Sequence, residues 1–456
     1  MIHIIKKILR KLHVFLCGVT THAPEYKGVI DVIIGPQWGD EGKGKIVDKY
    51  ATDGKYDMGV RFQGGNNAGH SLVVNGKTVV LHTIPSTIFT TKSLIGDGVV
   101  INPVDLVAEI ATVKASGGDP LLNLIIGDRA HIILPTHIML DKAQEEMKGG
   151  GKIGSTQKGI APVYTDRSAR NGIFIGEIFH QNFKNHVHEI IEMHKKQLSL
   201  YSASIDENQI TEAFKTFYTA IEEIKKYKFV STPYFMNDCL KRGEKILAEG
   251  AQATMLDLSF GTYPYVTSSR TVATAIPSEL GVSVHYLRNV VGVFKAYLTK
   301  VGAGPFPTKI EGDIAKQLQD AGHEFGSTTG RPRDTGWLDL PLMKYAIMIN
   351  GITELVLTKL DIFDVLTTDI KVCTGYKIGD IVTDRIDFNL VDKIDKITPV
   401  YKTFPSWHGE KTEGVQEFDD LPDNAQAYVE FLEKELGVPI TFISVGPGKN
   451  DVIEYN

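Results

Sequence analysis

Gly28-Val29-Ile30-Asp31-Val32-Ile33-Ile34-Gly35, followed by Pro36-Gln37-Trp38-Gly39-Asp40-Glu41-Gly42-Lys43-Gly44-Lys45, is the stretch on which the fold turns. The first eight residues are an apolar run between two glycines and read as a buried strand. Gly39 to Lys45 then fits the pattern G-x-x-x-x-G-K. Glycines let the chain wrap closely around a phosphate with backbone N–H groups turned inward, and the start of the next helix adds the positive end of its dipole. A regular loop of this kind has Ser or Thr after the lysine to hold magnesium. Ile46 stands there instead. Either a metal is held by other residues, or the segment is a plain glycine-rich turn.

Working outward, apolar runs of the same kind recur at residues 94–101, 124–126, 246–248, 289–294, 354–357 and 441–444. Helical patterns lie between them, at 104–116, 137–147, 208–226, 313–321, 338–349 and 424–435. Short strands alternating with helices imply an α/β fold with a large, mostly parallel sheet flanked by helices. No repeat and no linker-like composition breaks the chain after residue 28, so residues 29–456 read as one large domain with insertions.

Composition is that of an ordinary globular protein long enough for a large core, with 456 residues, 42% hydrophobic and 23% charged. Net charge is −6; residues 1–28 carry five Lys/Arg against Glu25, or +4, which leaves −10 for the rest. An acidic body argues against general nucleic-acid binding. Cys17, Cys239 and Cys373 are far apart, which excludes a disulfide framework or a cysteine zinc site and fits a reducing, cytoplasmic compartment. No apolar run reaches the ~18 residues of a membrane span. Residues 1–28 are a separate, basic N-terminal extension. Apolar residues at 2, 5, 8, 9, 12 and 16 have helical spacing around Lys6, Lys7, Arg10 and Lys11. That pattern suits a membrane-surface helix or a targeting segment; a disordered extension or a mis-set start codon is the preferred reading.

Three further segments carry chemistry. Lys359-Leu360-Asp361 ends an apolar run, and a carboxylate there can accept both N–H donors on one edge of guanine while the lysine stem lies over the base. Ser444 and Gly446, after the last run, can close over that base; otherwise they form a simple turn. Arg61 to His70 packs two glycines, two amides and a histidine into one loop, which can offer carbonyls to a metal and His70 to a reacting atom. Arg331 and Arg333 flank a stiffening Pro332 in a Gly/Thr-rich loop, and two planar guanidiniums suit a carboxylate or phosphate. Thr156 and Thr267 lie in Ser/Thr-Gly turns of the kind that can take a monophosphate.

These motifs together resemble the adenylosuccinate synthetases, from about residue 29 to the C-terminus. The shared signatures are Gln37 to Lys45, Asn67-Ala68-Gly69-His70, Gly261-Thr262-Tyr263-Pro264-Tyr265-Val266-Thr267-Ser268-Ser269, Val301-Gly302-Ala303-Gly304-Pro305-Phe306-Pro307-Thr308 and Thr328-Thr329-Gly330-Arg331-Pro332-Arg333. The resemblance implies a P-loop-like GTP-binding ligase fold with insertions. It implies that IMP, L-aspartate and GTP give adenylosuccinate, GDP and phosphate with Mg2+, through a 6-phosphoryl-IMP intermediate.

By the same resemblance Asp40 takes a proton from the ring nitrogen beside the 6-oxygen, and His70 donates to that oxygen. Lys43 holds the transferring phosphate, and Gln252 belongs with this catalytic group. Gly39, Glu41, Gly42, Gly44, Lys45, Arg333, Lys359, Asp361, Ser444 and Gly446 serve GTP. Asn67, Thr156, Thr267, Gln252, Arg331 and a partner subunit's copy of Arg170 serve IMP, which makes the protein a homodimer. Thr328, Thr329, Arg331 and Arg333 hold aspartate, and Asp40 with the Gly69 carbonyl holds the magnesium ion.

Some positions depart from the family pattern and mark a divergent member. Lys158 replaces an arginine, Asp334 stands where another basic residue is frequent, and Arg270 to Pro277 lacks the usual Asn and Gly-Gly. Two alternatives stand beside this reading. A ligase of the same fold acting on dGMP tends to lose the Asp40 carboxylate, which is present. A GTP switch needs Ser or Thr where Ile46 stands.

Overall fold

The computed structural model describes residues 26–201, 206–325, 330, 332–385, 393 and 396–455. The amphipathic pattern of the N-terminal segment therefore lies outside the described residues.

The chain is built on a ten-stranded sheet. Its strands are β1 (Val29–Ile34), β2 (Met58–Arg61), β3 (Lys92–Ile95), β4 (Leu124–Gly127), β5 (Lys228–Val230), β6 (Lys245–Glu249), β7 (Leu287–Lys295), β8 (Glu354–Thr358), β9 (Ile440–Ser444) and β10 (Val452–Glu454). Their order is β10-β9-β8-β7-β1-β6-β2-β3-β4-β5. Every neighbouring pair is parallel except β9 with β10, so the mostly parallel sheet expected from the alternating pattern is present.

β1 is central, covered on both faces, and apolar nearly throughout, as a parallel strand between helical layers must be. Its one charge, Asp31, is buried but not unpaired. It faces the Arg288 guanidinium and accepts from the Tyr56 hydroxyl at 2.8 Å. β6 enters beside β1 from more than two hundred residues downstream, with Val29 opposite Lys245 and Ile33 opposite Glu249. The direction of winding reverses around β1, and the crevice at the carboxyl ends of such strands is where open α/β sheets place ligands.

Helices cover both faces. α1 (Lys43–Thr52) follows the loop after β1 directly. α2 (Pro103–Ala115) starts where Asn102 accepts from the Val104 N–H at 3.0 Å and Pro103 occupies the first turn. α3 (Pro135–Met147), α4 (Ile160–Ala169), α5 (Phe183–Leu200) and α6 (Glu207–Ile224) form a layer beyond β4. α6 buries Ile210, Phe214, Phe217, Ile221 and Ile224, one stripe at helical spacing, against the same apolar cluster as α2 and α5. A second, larger core lies under β1, β6, β7 and β8.

Two expectations are corrected, and two strands had no signal in the sequence. The run at 94–101 is broken: β3 ends at Ile95, and Val100–Ile101 pairs instead with His131–Ile132. Gly96 donates to the Arg61 carbonyl at 2.8 Å, and a Cβ on Gly98 would strike the Phe62 carbonyl, so the chain turns under the loop after β2. The helix expected from residue 338 begins at Leu340 because Asp339 caps it, accepting from the Leu342 N–H at 3.2 Å. Strands β2 and β5, Met-Gly-Val-Arg and Lys-Phe-Val, are too short for an apolar run to reveal; the neighbouring strands make them strands.

Candidate functional site

The loop after β1 is held by its own acid. Glu41 is fully buried; its carboxylate accepts the Gly39 N–H at 2.8 Å and pairs with the Lys43 ammonium at 2.6 Å. A Cβ on Gly35 would strike that carboxylate, which is why the position is glycine. Gly39, Asp40 and Gly42 all have left-handed backbones, with φ of 96°, 58° and 88°. In glycine that conformation is free; in Asp40 it is held against a cost of about 1 kcal/mol or more, a mark of functional positions. The turn aims the Asp40 side chain outward, half exposed, where Arg333 Nε lies 2.8 Å from its carboxylate.

Ile46 is fully buried in the core, so α1 offers no hydroxyl for a metal after the loop lysine. Lys45 is turned elsewhere. Its ammonium donates to Ser444 Oγ and the Gly446 carbonyl at 2.7 Å each and to the Asp451 carbonyl at 3.1 Å, tying α1 to the loop after β9. Burial pushes its pKa down to about 8, against the nearby charges of Asp451 and Asp361.

His70 is buried after the loop from β2, and its Nδ1 is hydrogen-bonded to the Glu249 carboxylate at the end of β6. Glu249 also accepts the Ser86 N–H and hydroxyl, each at 2.7 Å. Burial would raise Glu249; the charges of His70 and Arg61 and the Ser86 hydrogen bond outweigh it and hold the carboxyl at about 2. Burial lowers His70, against the pull of Glu249. The imidazole is thereby fixed in orientation, with Nε2 left for the cleft. Sequence reasoning missed Glu249 because it sits in no motif.

The cleft is a cavity of about 990 Å3 lined by Asp40, Lys43, Lys45, Asn67, Gly69, His70, Thr156, Gln252, Thr267, Arg333, Lys359, Asp361, Ser444 and Gly446, with Gly39, Glu41, Gly42 and Gly44 of the loop. Residues scattered over four hundred positions are thus brought to one place, at the carboxyl ends of β1, β2, β6, β8 and β9. Asn67 Oδ1 and both side-chain polar atoms of Gln252 are buried without a hydrogen-bond partner, and Gln252 has a left-handed φ of 57°. Buried polar atoms without partners are costly and point to a ligand that supplies them.

The segment 154–159 is anchored from below. Glu145 accepts the Gly154 and Ser155 N–H groups at 2.6 and 3.1 Å, and Asp141 accepts Ser155 Oγ at 2.6 Å and the Gly159 N–H at 2.9 Å. Thr156 stays exposed above them. Arg170 ends α4 in a left-handed conformation, exposed and away from the cleft of its own chain.

At the other end Lys359, also left-handed at φ 59°, donates to the Gly322 carbonyl at 2.6 Å and Glu324 at 2.8 Å. Burial raises the neighbouring Asp361 to about 6. Thr358 donates to the Glu41 carbonyl at 2.7 Å, joining β8 to the loop after β1. Glu324 was not foreseen: fully buried, it also meets Arg333 Nη1 at 2.7 Å, the Tyr297 hydroxyl at 2.7 Å and Lys295 at 3.2 Å. Thr328, Thr329 and Arg331 lie outside the described residues.

A second cluster lies behind the site. Asp166 of α4 receives His137 Nε2 at 3.0 Å and His194 Nε2 at 2.8 Å, and the three are buried within metal-ligating distance of one another. The Leu134 N–H donates to His137 Nδ1 at 2.9 Å, so the proton of that neutral ring must sit on Nε2, facing Asp166. A metal would need that atom bare. The cluster is a hydrogen-bonded tie between α3, α4 and α5.

Comparison with known proteins agrees over nearly the whole chain. A family profile described as Adenylosuccinate synthetase matches residues 32–453. Curated adenylosuccinate synthetases of Cytophaga hutchinsonii and Flavobacterium johnsoniae are each 44% identical, covering 93% of this chain and 97% and 99% of their own. The fully ligated adenylosuccinate synthetase of Plasmodium falciparum superposes with a TM-score of 0.87 at 38% identity, covering 94% of this chain and all of that one. A cyanophage S-2L succinoaminodeoxyadenylate synthetase bound to dGMP and dATP gives 0.60 at 18% identity, which shows a shared fold.

Proposed function

The chain belongs to the adenylosuccinate synthetase family, and from that premise we propose how its residues carry the reaction. The enzyme is a GTP-dependent ligase that joins L-aspartate to IMP on the route to AMP. The 6-oxygen of IMP is a poor leaving group, so it is first phosphorylated and then displaced. Asp40 removes the proton from the adjacent ring nitrogen, and the oxygen so charged attacks the γ-phosphorus of GTP, releasing GDP. The aspartate amine then attacks C6 of 6-phosphoryl-IMP, and phosphate leaves.

Lys43 meets the transferring phosphoryl group, and the N–H groups of the Gly39–Gly44 loop surround it. His70 steadies charge on the oxygen through Nε2. Since Nδ1–H already serves Glu249, that donation requires the imidazolium. The Glu249 charge behind it and phosphoryl charge before it both favour this form. Asn67 and Gln252 receive the purine, Thr156 and Thr267 its 5′-phosphate, Asp361 and Lys359 the guanine. Arg333, with Arg331, Thr328 and Thr329, takes the carboxylates of aspartate.

Magnesium suits the donors present. The Asp40 carboxylate and the Gly69 carbonyl are hard oxygen ligands facing one cleft, and Ile46 removes the usual alternative. When bound there with the phosphates of GTP it neutralises charge on the transferring group. Arg170, turned away from its own cleft, is assigned to the 5′-phosphate site of a partner subunit in a homodimer. Among the described residues no helix is long and apolar enough to cross a membrane, in keeping with a cytoplasmic enzyme.

The observation that carries the choice of IMP is the pair of unpartnered amides beside a carboxylate, at Asn67, Gln252 and Asp40. Ligases of this fold that act on dGMP tend to lose the carboxylate at the Asp40 position, and it is present here. The test is to offer IMP and dGMP separately with GTP, aspartate and magnesium, following GDP release and product mass. Adenylosuccinate from IMP alone is expected; coupling to dGMP would overturn the assignment of the base pocket.

A further inference from the structure

We propose that Glu324 is a positioning residue that couples the guanine end of the cleft to the aspartate end. The proposal rests on the assignment above of Lys359 and Asp361 to guanine and of Arg333 to aspartate.

Glu324 touches neither the loop after β1 nor Asp361 in sequence or motif, yet one carboxylate serves three cations. Oε1 accepts from Lys359 at 2.8 Å, Lys295 at 3.2 Å and the Tyr297 hydroxyl at 2.7 Å; Oε2 accepts from Arg333 Nη1 at 2.7 Å. The backbone repeats the link, since the Arg333 N–H donates to the Glu324 carbonyl at 2.9 Å. Lys359 also donates to the Gly322 carbonyl at 2.6 Å, so its ammonium is committed to this segment and only its stem is left for the base. Arg333 continues the line through Nε to Asp40 at 2.8 Å. From Lys359 through Glu324 and Arg333 to Asp40 runs an unbroken series of ion pairs.

Glu324 and Lys295 are both fully shielded from water. In such a place an anion that balances three cations cannot let one move without the others responding. A guanine that fixes Lys359 therefore fixes the Glu324 carboxylate and, through it, the guanidinium that receives aspartate. By linkage the effect is mutual: aspartate on Arg333 strengthens the hold on GTP. Asp40, at the end of the series, meets IMP as the acceptor of its ring proton; the residues that bind IMP, Asn67, Thr156, Gln252 and Thr267, have no member in the series, so the affinity for IMP stays outside the coupling.

The test is steady-state kinetics with all three substrates on Glu324→Gln, Glu324→Asp and Lys359→Met, each checked by its melting temperature. Glu324→Gln is expected to raise KM for both GTP and aspartate about tenfold, as loss of charge-assisted hydrogen bonds does, with KM for IMP unchanged. Glu324→Asp restores part of both. Lys359→Met, on a side chain partly open to solvent, carries the test if Glu324→Gln does not fold. It is expected to raise KM for aspartate about fivefold although it lies at the nucleotide end. A Lys359→Met or Glu324→Asp enzyme impaired toward GTP alone, or a fall in kcat with every KM unchanged, overturns the coupling. Asp361→Asn and Arg333→Lys separate this from failure of the site reading. If the first leaves KM for GTP unmoved or the second leaves KM for aspartate unmoved, the site assignment itself is wrong.

Discussion

Arg333 Nε and the Asp40 carboxylate stand 2.8 Å apart, joining the loop that begins the fold to a segment nearly three hundred residues later. The guanidinium thus neutralises the carboxylate proposed above as the base.

Asp40→Asn keeps the shape of the side chain and suits a left-handed backbone at least as well, since Asn is among the residues enriched there. The melting temperature is expected to hold while kcat falls about a thousandfold, the usual contribution of a positioned proton acceptor. A variant retaining more than about a tenth of kcat would show that another group takes the proton.

Glu249 is held at about 2 in the folded chain, below its ordinary value. A depressed carboxyl contributes stability that is fully present above about 4.5 and is lost as pH falls towards about 2. The contribution is on the order of 3 kcal/mol. Urea midpoints measured from pH 5 to pH 2.5 should fall more steeply in the wild type than in Glu249→Gln. Glu249→Gln should also lose about a hundredfold in kcat at pH 7, because His70 no longer has an anion behind it. Parallel stability curves would remove Glu249 from this role.

Asp361 behaves in the opposite sense. Its folded pKa is raised to about 6, so the ionised carboxylate costs stability at pH 7, and the cost is relieved as pH falls through that value. Asp361→Asn is expected to melt higher at pH 7, by roughly 1–2 kcal/mol after allowance for partial solvent screening, while KM for GTP rises at least tenfold. In the wild type KM for GTP should climb as pH drops below 6, as the acceptor is protonated. A melting temperature that falls in the variant would contradict the sign.

Arg170 can be tested by complementation. Arg170→Leu and Asp40→Asn enzymes are each expected to be nearly inactive. Mixed and allowed to exchange subunits, they form hybrids in which one site has both an intact Asp40 and the partner's arginine. Recovery of about a quarter of wild-type activity is expected, since half the dimers are hybrids with one of two sites complete. No recovery, with exchange verified by mass, would place Arg170 outside the partner's site.

The tie of His137, Asp166 and His194 is expected to take no zinc. Dialysis against a chelator, or addition of zinc, should leave the melting temperature unchanged; a rise with zinc would mean that Leu134 gives up its hydrogen bond to His137.

Much of the site was legible because its signals are local. The run from Gly28 to Gly35 is a strand whatever surrounds it, and Gly39, Gly42 and Gly44 announce a tight turn through residue type alone. Lys359 and Asp361 were visible as a pair only because they are two residues apart. What escaped was every partner brought in from a distance. Glu249 reaches His70 across 179 positions, and the ammonium of Lys45 is tied to Ser444 across 399.

The sequence by itself determined the alternation of strands and helices, the phosphate-type loop, and the set of residues able to do this chemistry. Those follow from side-chain periodicity and backbone preference, which act over a few residues. Only the tertiary structure decided that β6 lies between β1 and β2, and hence that Glu249 stands behind His70. It also decided that one buried carboxylate, Glu324, balances Lys295, Lys359 and Arg333. The strength of such pairings comes from removal of water, and water is removed only where strand order packs distant segments together.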